Sequence, residues 1–214
     1  MPLDAIVLAG GRSARLGGVD KMAMSHRGST LLDHALSAVA AARTVVVVGP
    51  WRPTVPRGTH SLVFTREGPE FGGPVAGVAA GLAALRSSQR VAPDATLVVA
   101  GDLARPEEAV AELLEGVRRY ESCEVLDGFV GTEDDRRPQY LIGYYRTEPL
   151  ARALADLPRG GAGVAMRALA EGLRLGQVAL SSGLAEDVDT WEDAARLGVT
   201  GPAGTDAQDE RQPG

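Results

Sequence analysis

Near its N-terminus the chain reads LAGGRSARLGGVDK, from Leu8 to Lys21. Gly10 and Gly11 leave backbone amides open to an anion, because no Cβ stands in the way. Arg12, Arg15 and Lys21 can bring positive charge to the same place, as binding a polyphosphate requires. Gly17 and Gly18 let the chain fold back, so that Lys21 returns to the crevice opened by the first glycines. The spacing is neither G-x-G-x-x-G nor the Gly-Lys-Ser/Thr of a P-loop, since Lys21 follows Val19-Asp20. A carboxylate of suitable kind stands further on, where Gly101-Asp102 ends an apolar run. A glycine-rich cationic loop facing an acid is the material of a phosphate-binding site. Nothing marks a nucleophilic triad: the single cysteine, Cys123, lacks a histidine and asparagine pattern, and His26, His34 and His60 show no ligand spacing.

The elements that must position these groups alternate. Asp4–Ala9, Thr44–Gly49, His60–Thr65 and Ala95–Asp102 are short, near-continuous apolar runs, and so read as strands buried on both faces. Between them, Ser29–Ala42 and Gly73–Ser88 have helical apolar spacing, the first with Ser29 or Thr30 as N-cap. The alanines and glycines of the second suggest close packing on a sheet. Arg105–Tyr120 follows as a helix with Pro106 near its start and acids in its first turn. Beyond it the alternation loosens. EVLDGFVG and PQYLIGYYR read as strands, as an antiparallel pair; EPLARALADL and GVAMRALAEGL read as helices, LRLGQVAL as a last strand, and Asp189–Gly198 as a short amphipathic helix. Residues 1–199 are expected to form one domain, and residues 200–214, without periodicity, a disordered tail. The pattern predicts an α/β, Rossmann-like, mostly parallel sheet with helices on both faces and a strand order beginning 3-2-1-4. In that order strands one and four flank the switch point, so the glycine loop and Asp102 would face one crevice.

Composition bounds the partners. The 214 residues carry a net charge of −6, with 44% apolar and 23% charged residues, ordinary for a globular protein. No basic surplus advertises nucleic acid or an anionic membrane. The apolar run at the N-terminus is short and follows Asp4, unlike a signal peptide, and no stretch suggests a membrane span. A cytoplasmic protein is expected.

The loop resembles the signature of single-domain nucleotidyltransferases, and most of all that of the molybdenum cofactor guanylyltransferases, L-A-G-G-x-S-x-R-M/L-G-x-D-K. Here one extra residue lies in the G-x-D step. GGPVAG (Gly72–Gly77), VVAGDLARP, RRPQYLIGYYR and DVDTWEDAARLG are similar to later elements of that family, the last with Trp191 in place of its proline. The resemblance implies a nucleotide-diphospho-sugar transferase-like fold. It also implies an activity, the Mg²⁺-dependent transfer of GMP from GTP to the phosphate of molybdopterin, with release of pyrophosphate. Leu8, Ala9, Gly10, Gly11, Arg12 and Ser13 would then contact the nucleotide. Lys21 and Arg15 would bind phosphates and stabilise charge on the leaving group. Asp102 would hold Mg²⁺. Asp189 would be a second metal acid, the N-cap of the closing helix, or both. Glu67, Gly73 and Pro74 would lie near the nucleotide. Contact with molybdenum-cofactor assembly or acceptor proteins would follow. Within the same chemistry, a cytidylyltransferase for molybdopterin or a guanylyltransferase for another phosphorylated acceptor are the alternatives; outside it, a non-catalytic nucleotide-binding or assembly protein.

Overall fold

A computed structural model describes residues 2–11, 14–54, 61–88, 93–120, 126–133 and 137–202. Arg12, Ser13, His60, Cys123 and the segment from 203 onward lie outside the described residues.

The first half is built as its apolar runs require. After β1 (Leu3–Leu8) the chain makes two short strands, β2 (Ser25–His26) and β3 (Ser29–Thr30), and then helix α1 (Leu31–Ala38). β4 (Thr44–Val48), β5 (Ser61–Thr65), α2 (Pro74–Ser88), β6 (Ala95–Ala100) and α3 (Pro106–Tyr120) follow. α1 is shorter at both ends than its periodicity suggests. At the start, Ser29–Thr30 pairs with β2, and Thr30 closes a capping box with Asp33. At the end, the turns tighten to Ala40 N–H to Ser37 O and Ala42 N–H to Val39 O, which drops the chain toward β4.

The second half holds β7 (Gly128–Thr132), β8 (Pro138–Arg146), α4 (Thr147–Ala155), α5 (Met166–Ala170), β9 (Leu175–Ala179), α6 (Trp191–Leu197) and β10 (Val199–Thr200). The main sheet runs β5-β4-β1-β6-β8-β7-β9. Its first four strands are mutually parallel and, in order of appearance in this sheet, read 3-2-1-4 as expected. β8 is antiparallel to both β6 and β7, and β9 is parallel to β7. A small second sheet, β10-β2-β3, ties Val199 and Thr200, the second of them expected to begin the tail, to the segment after the glycine loop.

Alternation along the parallel strands explains their unbroken apolar character. Ala5, Val7, Val45, Val47, Leu97 and Val99 face a core shared with α1 and α3. Ile6, Val46 and Val98 face the opposite core, shared with α2, α4 and α5. Both faces are covered, so the side chains on them are nearly all apolar, and buried exceptions such as Asp4 and Thr96 are hydrogen-bonded. A third, smaller cluster joins Leu16, Met24, Leu31, Val188, Ala194 and Val199. It seats the glycine loop against the C-terminal segment, and thereby builds the site.

Candidate active site

Loops leaving the carboxyl ends of β1, β4 and β6 are laced together. Ala9 N–H donates to Val48 O at 2.8 Å, and Gly101 N–H to Leu8 O at 2.9 Å. Two glycines permit this convergence. A Cβ on Gly49 would lie 2.6 Å from Ala9 O, and one on Gly101 2.8 Å from Met22 Sδ and 2.9 Å from Leu8 O. The crevice above these loops has two lobes. One, of about 610 Å³, is lined by Gly10, Gly11, Arg15, Lys21, Asp102 and Asp189 among others. The other, of about 540 Å³, shares Gly10, Gly11 and Asp102 with the first and adds Leu8, Glu67, Gly73 and Pro74. The described residues expected at the nucleotide thus gather around one crevice, with Ala9 in the first lobe and Leu8 in the second. Arg12 and Ser13 lie outside the described residues.

Lys21 is the hub. It opens a 3-10 turn, Lys21–Ala23, capped by Asp20, whose carboxylate accepts from Met22 N–H at 3.2 Å. Its Nζ donates to Asp102 Oδ2 at 2.9 Å and to Asp189 Oδ1 at 2.7 Å, with the side chain only 12% exposed. Burial works toward discharging the amine, but the charges and hydrogen bonds of Asp102 and Asp189 outweigh it and raise its pKa above the ordinary lysine value. Arg15 reaches Asp189 at 3.5 Å from an exposed position, a weak, screened contact.

The acids are delivered by a strap. Leu103 and Asp187 pair as an antiparallel bridge, Val188 N–H donates to Asp102 O at 3.1 Å, and Ala104 N–H donates to Glu186 O at 3.1 Å. Val188 points into the third cluster and is fully buried. On extended backbone its neighbours Asp187 and Asp189 therefore turn the other way, toward Asp102. Ligand oxygens of Asp102, Asp187 and Asp189 lie within 4.8 Å of one another. Asp187 is exposed as a residue, yet loss of water around its carboxyl, then the charges of Asp102 and Asp189, push its pKa up from the ordinary carboxylate range.

In the sequence, Asp189 is placed to serve as helix cap, as metal ligand, or as both. The cap of α6 is Thr190, which accepts from Asp193 N–H and closes a capping box with it. Asp189 is thus free of the helix and turned to Lys21. Asp187 went unremarked as a site residue, although two acids flanking an apolar residue, as in Asp187-Val188-Asp189, is the strand spacing that would put both on one face. Arg52 and its partner Asp20 also line the first lobe and were not anticipated. No local pattern announces that pairing.

A mostly parallel sheet carrying a glycine loop, a lysine and clustered acids at its carboxyl edge is the build of a nucleotidyltransferase. The chain belongs to the MobA-like NTP transferase domain family, whose sequence model matches residues 5–177. Over 81 residues it is 37% identical to the molybdenum cofactor guanylyltransferase of Acidiphilium cryptum, a match covering 37% of this chain and 41% of that protein. Over 88 residues it is 34% identical to that of Pseudomonas fluorescens, covering 40% and 44%. The chain therefore spans less than half the length of these curated relatives. Molybdopterin-guanine dinucleotide biosynthesis protein A from Archaeoglobus fulgidus superposes with a TM-score of 0.61 at 20% identity, over 91% of this chain and 96% of that one. The 2-C-methyl-D-erythritol 4-phosphate cytidylyltransferase of Francisella tularensis gives 0.66 at 14%, over 92% and 99%. These likenesses show a shared fold.

Proposed function

We propose that the chain transfers GMP from GTP to the phosphate of molybdopterin and releases pyrophosphate. The observation that carries this reading is Lys21, held between Asp102 and Asp189 beneath the open amides of Gly10 and Gly11. The first lobe suits a triphosphate, with Lys21 and Arg15 as cations and the glycine amides as donors. The second lobe suits the base. A carboxylate such as Glu67 can accept from both N1–H and the 2-amino group of guanine, whereas the corresponding edge of cytosine offers one donor beside an acceptor. In the reaction a phosphate oxygen of the acceptor bonds to the α-phosphorus as the bond to the pyrophosphate oxygen breaks. The acceptor supplies the nucleophile, so positioning and charge neutralisation are what the protein must provide.

The donor set fits Mg²⁺, a hard cation that takes carboxylate and phosphate oxygens together. Asp102, Asp187 and Asp189 would hold it, and when bound it supplies Lewis-acid neutralisation of the phosphate oxygens. Lys21 and Arg15 stabilise charge on the departing pyrophosphate, while Gly10 and Gly11 fix the phosphate chain. The reaction is placed in the cytoplasm, and contact with proteins that deliver or receive the molybdenum cofactor would follow from so fragile an acceptor. Among the described residues no helix is long and apolar enough to cross a membrane.

The test is to incubate the protein with Mg²⁺, molybdopterin and each of GTP, CTP, ATP and UTP in turn, and to follow pyrophosphate release. Turnover with GTP is expected. Turnover with CTP alone would replace guanine by cytosine in this reading, and none with any nucleotide would remove the acceptor or the enzyme. Asp102→Asn should abolish turnover while leaving the circular dichroism spectrum unchanged.

A further inference from the structure

Arg52, just beyond β4, is the one arginine described in contact with both ends of the glycine loop. Its Nε donates to Asp20 Oδ2 at 2.7 Å and its Nη2 to Asp20 Oδ1 at 2.8 Å, a two-pronged pair. Its Nη1 donates to Ala9 O at 3.2 Å and to Pro50 O at 3.1 Å. Ala9 precedes the first glycine of the loop and Asp20 precedes Lys21, so one guanidinium closes the loop at its neck. The side chain is 15% exposed, although Asp20 is 44% exposed. Every nitrogen of Arg52 is engaged by the protein itself, which leaves its charge directed at the loop and not at a phosphate. An ordinary surface ion pair is weak, because water screens it and two long side chains must be ordered to make it. This one differs because its two prongs and a third bond to Ala9 O fix distance and orientation together.

We propose that Arg52 is a positioning residue, which ties Ala9 to Asp20 so that the amides of Gly10 and Gly11 and the ammonium of Lys21 meet one phosphate chain. The inference rests on the nucleotide site proposed above. Lysine cannot do the same work, because an ammonium has no planar fork to match both oxygens of Asp20.

The informative variants are Arg52→Lys, which keeps the charge, and Asp20→Asn, which keeps an oxygen to cap Met22. Affinity for Mg·GTP, KM and kcat, melting temperature, and the rate of tryptic cleavage at Arg15 are measured on each. Both variants should melt within a few degrees of the parent, yet bind Mg·GTP at least tenfold more weakly, with the loss mainly in KM. The double variant should be no worse than either single one, since both break the same clamp. Tryptic cleavage at Arg15 should quicken at least severalfold. Unchanged nucleotide affinity in Arg52→Lys, or fully additive losses in the double variant, would overturn the positioning role. Cleavage reports on the loop whatever the chain binds. Faster cleavage in a protein whose parent binds no nucleotide would keep the clamp and overturn the nucleotide reading, and an unchanged cleavage rate would overturn the clamp itself.

Discussion

Lys21 stands among three carboxylates that would otherwise repel one another at close range. Its ammonium neutralises part of the carboxylate cluster, so a divalent ion proposed for the same acids would have to compete with it. Lys21→Ala should therefore bind Mn²⁺ more tightly than the parent in the absence of nucleotide, read by paramagnetic resonance, while losing about 10²–10³ in turnover. Equal Mn²⁺ affinity in the two proteins would contradict this account. Asp187 carries a pH signature. Its pKa is raised in the folded chain, so the fold favours its protonated form. Well below the ordinary carboxylate range both states are protonated and nothing is lost. As pH rises through that range the unfolded chain ionises first, and stability falls until the folded group has ionised too. In metal-free buffer Asp187→Asn should therefore melt above the parent at neutral pH, with the two converging near about pH 3, below the ordinary carboxylate pKa. Added Mg²⁺ should narrow the neutral-pH gap by stabilising the parent alone.

At the scale of elements, two packings decide whether the site exists. α2 lies so close to β1 that a Cβ on Gly81 would come 2.6 Å from Ile6 Cγ2, a methyl held next to the strand backbone by the β-branched, stiff side chain. Alanine is the better helix former by about 1 kcal/mol, whereas overpacking a core costs about 1–3 kcal/mol. The clash should win, and Gly81→Ala should lower the denaturant midpoint without changing the slope. The strap is the second packing. Val188 is what turns Asp187 and Asp189 toward Asp102, through its burial beside Leu16 and Met24. Val188→Ala should cost roughly 1–3 kcal/mol of stability, somewhat below the usual large-to-alanine range because fewer methyl groups are lost. It should also weaken Mn²⁺ binding, since loosening one segment releases two acids. A variant with lowered stability and unaltered Mn²⁺ affinity would separate the strap from the metal acids.

For the whole molecule, the site draws on residues from Leu8 to Asp189, so whatever binds there braces both halves of the sheet at once. A ligand at a hundred times its dissociation constant adds about 2.7 kcal/mol to the folded state. In a chain of this size each kcal/mol moves the melting temperature by about 2–4 °C. Saturating Mg·GTP should thus raise the midpoint by roughly 5–10 °C in a thermal-shift assay, and Asp102→Asn should lose most of that rise. The sheet's switch between parallel and antiparallel pairing at β6 and β8 puts Asp102 at the boundary of the two halves, where that bracing is felt.

Short-range pattern carried a good deal of this. Strands buried on two faces need unbroken apolar runs, so β1, β4, β5 and β6, and the 3-2-1-4 order of a right-handed α/β sheet, could be read before any coordinate. The gathering of Gly10-Gly11 and Lys21 at one crevice was also within reach, because Gly17 and Gly18 let the chain fold back within a few residues. The roles of Asp187, Asp189 and Arg52 could not be read that way. Asp189 lost its capping role to Thr190 by one residue, and it faces Lys21 only because Val188 is anchored beside Leu16. Arg52 meets Asp20 because the exits of β1 and β4 lie side by side. Each is a contact between segments far apart in the chain, fixed by what buries the neighbouring residue, and only the packed molecule brings those neighbours together.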